Sequence, residues 1–158
     1  MEIKQAPRGI LEIDDAWIIH RNFAGEGSIY NREGDRNFSL VIPDEDVANE
    51  LREDGWNIKI KPPREEGDAP FMFLPIKIKC NERGPIVYLE SGGNQRRLEE
   101  DEFAILDRVS IARVDLDVRP YDWEFNGKTG RTAYLQSMRV VQKIVDRFAV
   151  RDEDFDIE

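Results

Sequence analysis

Four kinds of side chain in this 158-residue sequence could do chemistry, and three of them lack the partners that chemistry needs. Asp115 and Asp117 share one face of a strand, as metal-binding carboxylates of a nuclease do, but no further acid of defined spacing supports them. His20 has the range of a general base, yet it sits among aromatic and aliphatic residues and reads as a half-buried strand histidine. Cys80 has no spaced histidine or second cysteine and reads as a small core residue. Gly127-Lys128-Thr129 has the ending of a phosphate-binding loop, but that motif needs glycine at position 122, which is aspartate. Gly25-Glu26-Gly27 lacks the third glycine of a dinucleotide fingerprint. One cysteine and one histidine exclude a zinc ribbon or finger and an internal disulfide. The expectation is a protein that is not an enzyme, with no catalytic residue, no metal and no cofactor.

The fourth kind is the combination of aromatic and cationic side chains at strand spacing. In Phe71–Cys80, Met72, Leu74, Ile76, Ile78 and Cys80 share one parity and form a core face, while Phe71, Phe73, Lys77 and Lys79 share the other. Such a face suits unpaired nucleic acid, because bases stack on rings while cations follow phosphates, and each stacked base is worth about 1–3 kcal/mol. The pattern recurs further on. Arg119, Tyr121, Trp123 and Phe125 share a parity, and Lys128, Arg131 and Arg139 follow. Lys59 and Lys61 alternate with Trp56, Ile58 and Ile60 in the same way. The competing reading is a second apolar layer with lysines at its edge.

These residues need strands to position them. Ile10–Phe23 reads as one long strand and Phe38–Ile42 as another, with a turn-rich loop at 24–36 between them. Asp44 is a good N-cap for a helix that Gly55 ends, with Val47 and Leu51 on one face. Trp56–Lys61, Phe71–Cys80 and Ile86–Glu90 follow as strands, with Gly84-Pro85 turning the chain between the last two. The Ser91–Asn94 loop leads to a short helix over Glu99–Arg108. Ile111–Phe125 and Arg131–Lys143 form a final hairpin, turned by the positive-φ residues of Asn126-Gly127-Lys128-Thr129-Gly130. The fold class expected is mainly β: an antiparallel OB-like barrel with two short helices and an additional hairpin. Residues 1–147 form the single domain, and 148–158 an acidic C-terminal tail.

The net charge of −10 would argue against a nucleic-acid partner. The surplus is segregated, however. It lies in 44–55, 99–107 and 148–158, while the strand-like stretches 56–98 and 108–147 are net positive. The tail Arg151-Asp152-Glu153-Asp154-Phe155-Asp156-Ile157-Glu158 is too polar to fold alone, and its isolated Phe and Ile suit docking elsewhere. With the strand order and the aromatic–basic faces, it makes the chain resemble the single-stranded DNA-binding proteins of bacteriophages and bacteria. These join an OB-fold to an acidic C-terminal tail with an apolar tip. The resemblance implies single-stranded DNA as partner, a role in phage or mobile-element replication or recombination, and recruitment of replication or host proteins through Asp152–Glu158. This tail departs from that pattern in being short and in not ending in phenylalanine. No apolar run approaches the ~20 residues of a membrane span, and Met1-Glu2-Ile3-Lys4 lacks a signal-peptide h-region, so a cytoplasmic location, that of the host if phage-encoded, is expected.

The expected DNA-binding residues are Lys59, Lys61, Lys77, Lys79, Arg119, Lys128, Arg131 and Arg139 on phosphates, with Phe71, Phe73, Tyr121 and Trp123 under bases. The rival function is a small acidic inhibitor whose helices imitate phosphate rows and occupy a host enzyme's nucleic-acid groove. The discriminating feature is whether the acidic segments are contiguous or separated by the basic faces.

Overall fold

The computed structural model describes residues 1–144; the tail expected at 148–158 lies outside them. Ten strands form one sheet that does not close, and two short helices complete a mainly β, OB-like fold. The strands are β1 Glu2–Gln5, β2 Leu11–Asp14, β3 Ile18–Asn22, β4 Arg36–Val41, β5 Lys59–Lys61, β6 Phe71–Ile78, β7 Ile86–Ser91, β8 Asn94–Leu98, β9 Ile111–Phe125 and β10 Lys128–Gln142. Their main path runs β1-β2-β9-β10-β6-β4-β3, with β5 also on β6, and with β7 and then β8 branching from β10.

The final hairpin organises everything else. β9 and β10 pair antiparallel from Phe125↔Lys128 to Ile111↔Gln142. Only Asn126 (φ 51°) and Gly127 (φ 75°) turn the chain, so Lys128–Gly130, expected in the loop, are strand. Two consecutive positive-φ residues match the twist of a two-residue hairpin and need no longer connection. A shift in register between Leu135 and Ser137 bends β10. On its other edge β6 pairs with Ala133–Tyr134 and β7 with Ser137–Val141, both parallel to it. Two corrections follow. The sheet is neither a closed barrel nor wholly antiparallel, and Gly84-Pro85 does not reverse the chain, since β6 and β7 run the same way along one edge.

The expected strand Ile10–Phe23 is two strands. Leu11 and Ile13 are buried in β2, which pairs with β1 and β9, whereas β3 pairs with β4 at the far end of the sheet. The crossing is made at Asp15 (φ 52°), whose N–H donates to Asp115 Oδ1 at 2.9 Å. Trp17 is therefore 54% exposed, and His20 (φ 53°) is exposed rather than half-buried. β1 and β8 had no apolar alternation to reveal them; Asn94-Gln95-Arg96-Arg97 is exposed at an edge.

Both helices form where their caps dictate. Asp44 accepts from the N–H groups of Asp46 and Val47, and Gly55 (φ 116°) closes α1, Glu45–Asp54, which buries Ala48 and Leu51. The second is a 3-10 helix, Glu100–Asp107, opened by a reciprocal Glu99/Glu102 capping box and buried through Phe103 and Leu106. Its end is clamped to β3: Arg21 donates to the carbonyls of Leu106 and Val109, each at 2.9 Å, while Asp107 accepts from Phe23 and Ala24 N–H. Met72, Leu74, Ile76 and Ile78 are buried as their parity requires, in one core with Leu11, Phe38, Leu40, Val114 and Val118. Neither helix is long and apolar enough to cross a membrane.

Candidate nucleic-acid interface

Residues opposite each other in antiparallel pairs share a face, so the register builds the surface directly. Phe125, Trp123, Tyr121 and Arg119 on β9 lie opposite Lys128, Gly130, Thr132 and Tyr134 on β10. Tyr134 lies beside Lys77 on β6, and Lys77 lies opposite Asn37 on β4. All these face away from the core. Tyr121, Trp123 and Phe125 are 54%, 40% and 71% exposed, an unusual outlay of aromatic surface for a sheet face.

The aromatics and cations interlock. The Arg119 guanidinium stands 4.7 Å from the Tyr134 ring centre, and Tyr121 meets Tyr134 edge-on at 6.1 Å. Lys77 lines two adjoining hollows. One, of about 490 Å³, runs past Trp56, Pro75, Trp123 and Gly130; the other, of about 670 Å³, runs past Tyr30, Arg36, Asn37, Lys79 and Tyr134. Alternate residues of β9 advance about 6.8 Å, twice the ~3.4 Å rise per nucleotide of a duplex strand. Rings so spaced take one base each only from an extended, unstacked strand.

Six of the eight expected cations, Lys59, Lys61, Lys77, Lys79, Arg119 and Lys128, have no ion-pair partner among the described residues. Arg131 and Arg139 are paired with carboxylates. Arg131 lies on the opposite face of the hairpin from Lys128, bound to Asp122 at 2.7 Å and Asp54 at 3.2 Å, with its guanidinium over Trp56. It ties the hairpin to α1. Arg139 is held by Asp115 at 2.6 Å, beyond the bend in β10.

The expected aromatics do not all stand together. Phe73 is only 9% exposed, its ring covered by His20 at 5.6 Å and by the Lys61 ammonium at 5.6 Å, so it offers no stacking surface. Phe71 is half-buried against it. Both stand at the β5 end of β6, away from Lys77 and Lys79. Sequence reasoning missed Tyr134, although it shares the parity of Lys128 and Thr132 on β10. It also missed Tyr30, 92% exposed on a loop that Asn31 braces by donating to the carbonyls of Glu26, Arg32 and Asp35.

Asp115 has a structural use. Burial alone would raise its pKa, but the Asp15 N–H and the Arg139 and Arg113 guanidiniums together hold the carboxyl below the ordinary 3.8. A carboxyl depressed in the folded state stabilises it above the ordinary value, and that contribution is lost as pH falls through the lowered one. Asp115→Asn should therefore melt earlier than the parent at pH 7, with the difference shrinking as pH falls through the lowered pKa and the carboxyl takes up its proton. A difference that persists unchanged in acid would show that lost geometry, not lost charge, is responsible.

The two acidic helices do not form one row. Glu100 pairs with Arg36 at the start of β4 and Glu102 with Arg96 on β8, whereas α1 follows the other end of β4 and sends Asp54 to Arg131. β4 spans about 17 Å. The two helices thus meet different parts of the sheet, and three of their carboxylates, Asp54, Glu100 and Glu102, are paired with three different arginines.

A family model described as a putative phage ssDNA-binding domain matches residues 2–151. The fold is similar to that of the single-stranded DNA-binding protein from bacteriophage Enc34, with a TM-score of 0.57 and 12% identity over 93% of each chain. The same protein in complex with ssDNA gives 0.57 at 15% identity, covering 92% of each chain. Its C-terminal truncation gives 0.56 at 13% identity, covering 92% of this chain and 97% of that one. No curated protein matches the sequence.

Proposed function

The chain belongs to the putative phage ssDNA-binding domain family, and on that premise we propose that it holds single-stranded DNA, without catalysis, along the outward face of β9, β10 and β6. Trp123 and Tyr121 stack on bases, Tyr134 adds a third ring, and Lys77, Lys79, Arg119 and Lys128 meet phosphates. The observation that carries this reading is the continuity of exposed rings and unpaired cations across three neighbouring strands. Cations already neutralised by carboxylates release few counterions, so the unpaired ones carry the electrostatic part of binding. Asp115 and Asp117, which share one face of β9, are engaged by Arg113, Arg139 and Ser137.

The test is a salt titration of binding to oligo-dT and to a duplex of equal length. Four phosphate contacts give a slope of roughly −3 in log K against log salt for a single strand. Duplex should bind much more weakly, because its bases are already stacked. Equal affinity for the two forms, or no binding at low salt, would overturn the reading.

A further inference from the structure

Gly130 sits inside β10, where glycine is disfavoured and has no side chain to pack. Its φ lies outside the left-handed region, so the backbone does not require it. What requires it is Trp123. A Cβ placed on Gly130 would stand 2.6 Å from Cε2 of that indole, 3.0 Å from Cη2 and closer still to Cζ2. The six-membered ring occupies the space a side chain would fill. The neighbouring pairs differ: Phe125 faces Lys128 and Tyr121 faces Thr132, both with side chains. Trp123, though the largest of the three rings, is also the least exposed of them, as expected of a ring lying down on the sheet.

We propose that Gly130 is a positioning residue for DNA binding: its bare backbone lets the Trp123 indole lie across the hairpin and turn one face outward for a base. This rests on the reading of that face as the DNA interface. The indole and Gly130 border the same hollow as Lys77 and Pro75. A base laid on the indole therefore has its phosphate within reach of an unpaired cation. Any side chain at 130 lifts the ring, which then costs the platform without removing an aromatic or a charge.

The experiment measures oligo-dT affinity by anisotropy for four proteins: the parent, Trp123→Ala, Gly130→Ala and the double variant, each with a thermal melt. Trp123→Ala should weaken binding about tenfold, the scale of one lost stack. Gly130→Ala should weaken it at least about fivefold, and the double variant should match Trp123→Ala within about twofold, since Gly130 acts only through the ring. In the Trp123→Ala background, Gly130→Ala should leave the melt unchanged or raise it, because alanine is the better strand residue once the ring is gone. If Gly130→Ala alone does not fold, the double variant still should. A Gly130→Ala protein that binds like the parent overturns the proposal alone. So does a second equal loss in the double variant, or a double variant that does not fold. Unchanged affinity in Trp123→Ala instead removes Trp123 from the interface, and the platform with it.

Discussion

Lys77→Glu is expected to lower oligo-dT affinity roughly fifty- to a hundredfold at about 50 mM salt, the largest single effect on binding. Each phosphate contact on a single strand contributes about 0.7 to the salt slope, so losing one at that salt costs about eightfold. Lys77→Ala should show that loss, with the slope shallower by about 0.7. Glutamate adds repulsion of similar size at the point where the two hollows of the face meet. The side chain is exposed and has no ion pair among the described residues, so the melt should move little. Arg139→Ala is the control: that guanidinium is already neutralised by Asp115, and its removal should change affinity less than about twofold. If Lys77→Glu binds as the parent does, or if Arg139→Ala costs as much, the DNA path runs over a different part of the sheet.

Which parts of this were legible in the sequence follows from which interactions are local. Alternation along β6 and β9 is written residue by residue, so the buried Met72, Leu74, Ile76 and Ile78 and the exposed Tyr121 and Trp123 could be read directly. The caps of α1 were equally local, an aspartate before and a glycine after. The hairpin register was within reach too. Counting outward from Asn126-Gly127 sets Asp122 against Arg131 and Trp123 against Gly130, and so reveals the neutralised arginine and the glycine beneath the indole. Treating all five residues Asn126–Gly130 as loop hid both. The parallel pairing of β6 and β7 along one edge of β10 was not readable, because no short-range signal links residues so far apart. That pairing is what brings Tyr134 beside Lys77. The burial of Phe73 under His20 depends on the backbone turn at His20 within β3, another nonlocal outcome.

Asp107→Ala should cost about 2–4 kcal/mol of stability, the largest loss expected from a polar substitution. Its carboxylate accepts from Phe23 N–H at 2.7 Å and Ala24 N–H at 3.0 Å, the point where β3 ends and the loop 24–36 begins. Hydrogen bonds to a charged acceptor are worth about 1.5–3 kcal/mol each, discounted here because water reaches part of the site. The loss has no cheap repair. Among the described residues β3 pairs only with β4, and the fully buried Phe23 stacks on Phe38 at 5.2 Å, so its backbone cannot turn to water without dragging a core ring. Arg21 would still bridge to the Leu106 and Val109 carbonyls and hold the 3-10 helix in place, which limits the damage to one side of the clamp. For a domain of this size the melting temperature should fall by about 5–15 °C, and Asp107→Asn by roughly half as much. Well below that temperature, oligo-dT affinity should drop less than about threefold, because Trp123, Tyr134 and Lys77 stand on β9, β10 and β6 and only Tyr30 is carried by the loop. A melt lowered by under about 1 kcal/mol would mean that water replaces the carboxylate at both N–H groups. A large loss of affinity in a protein that stays folded would place the loop, rather than the three strands, at the centre of DNA binding.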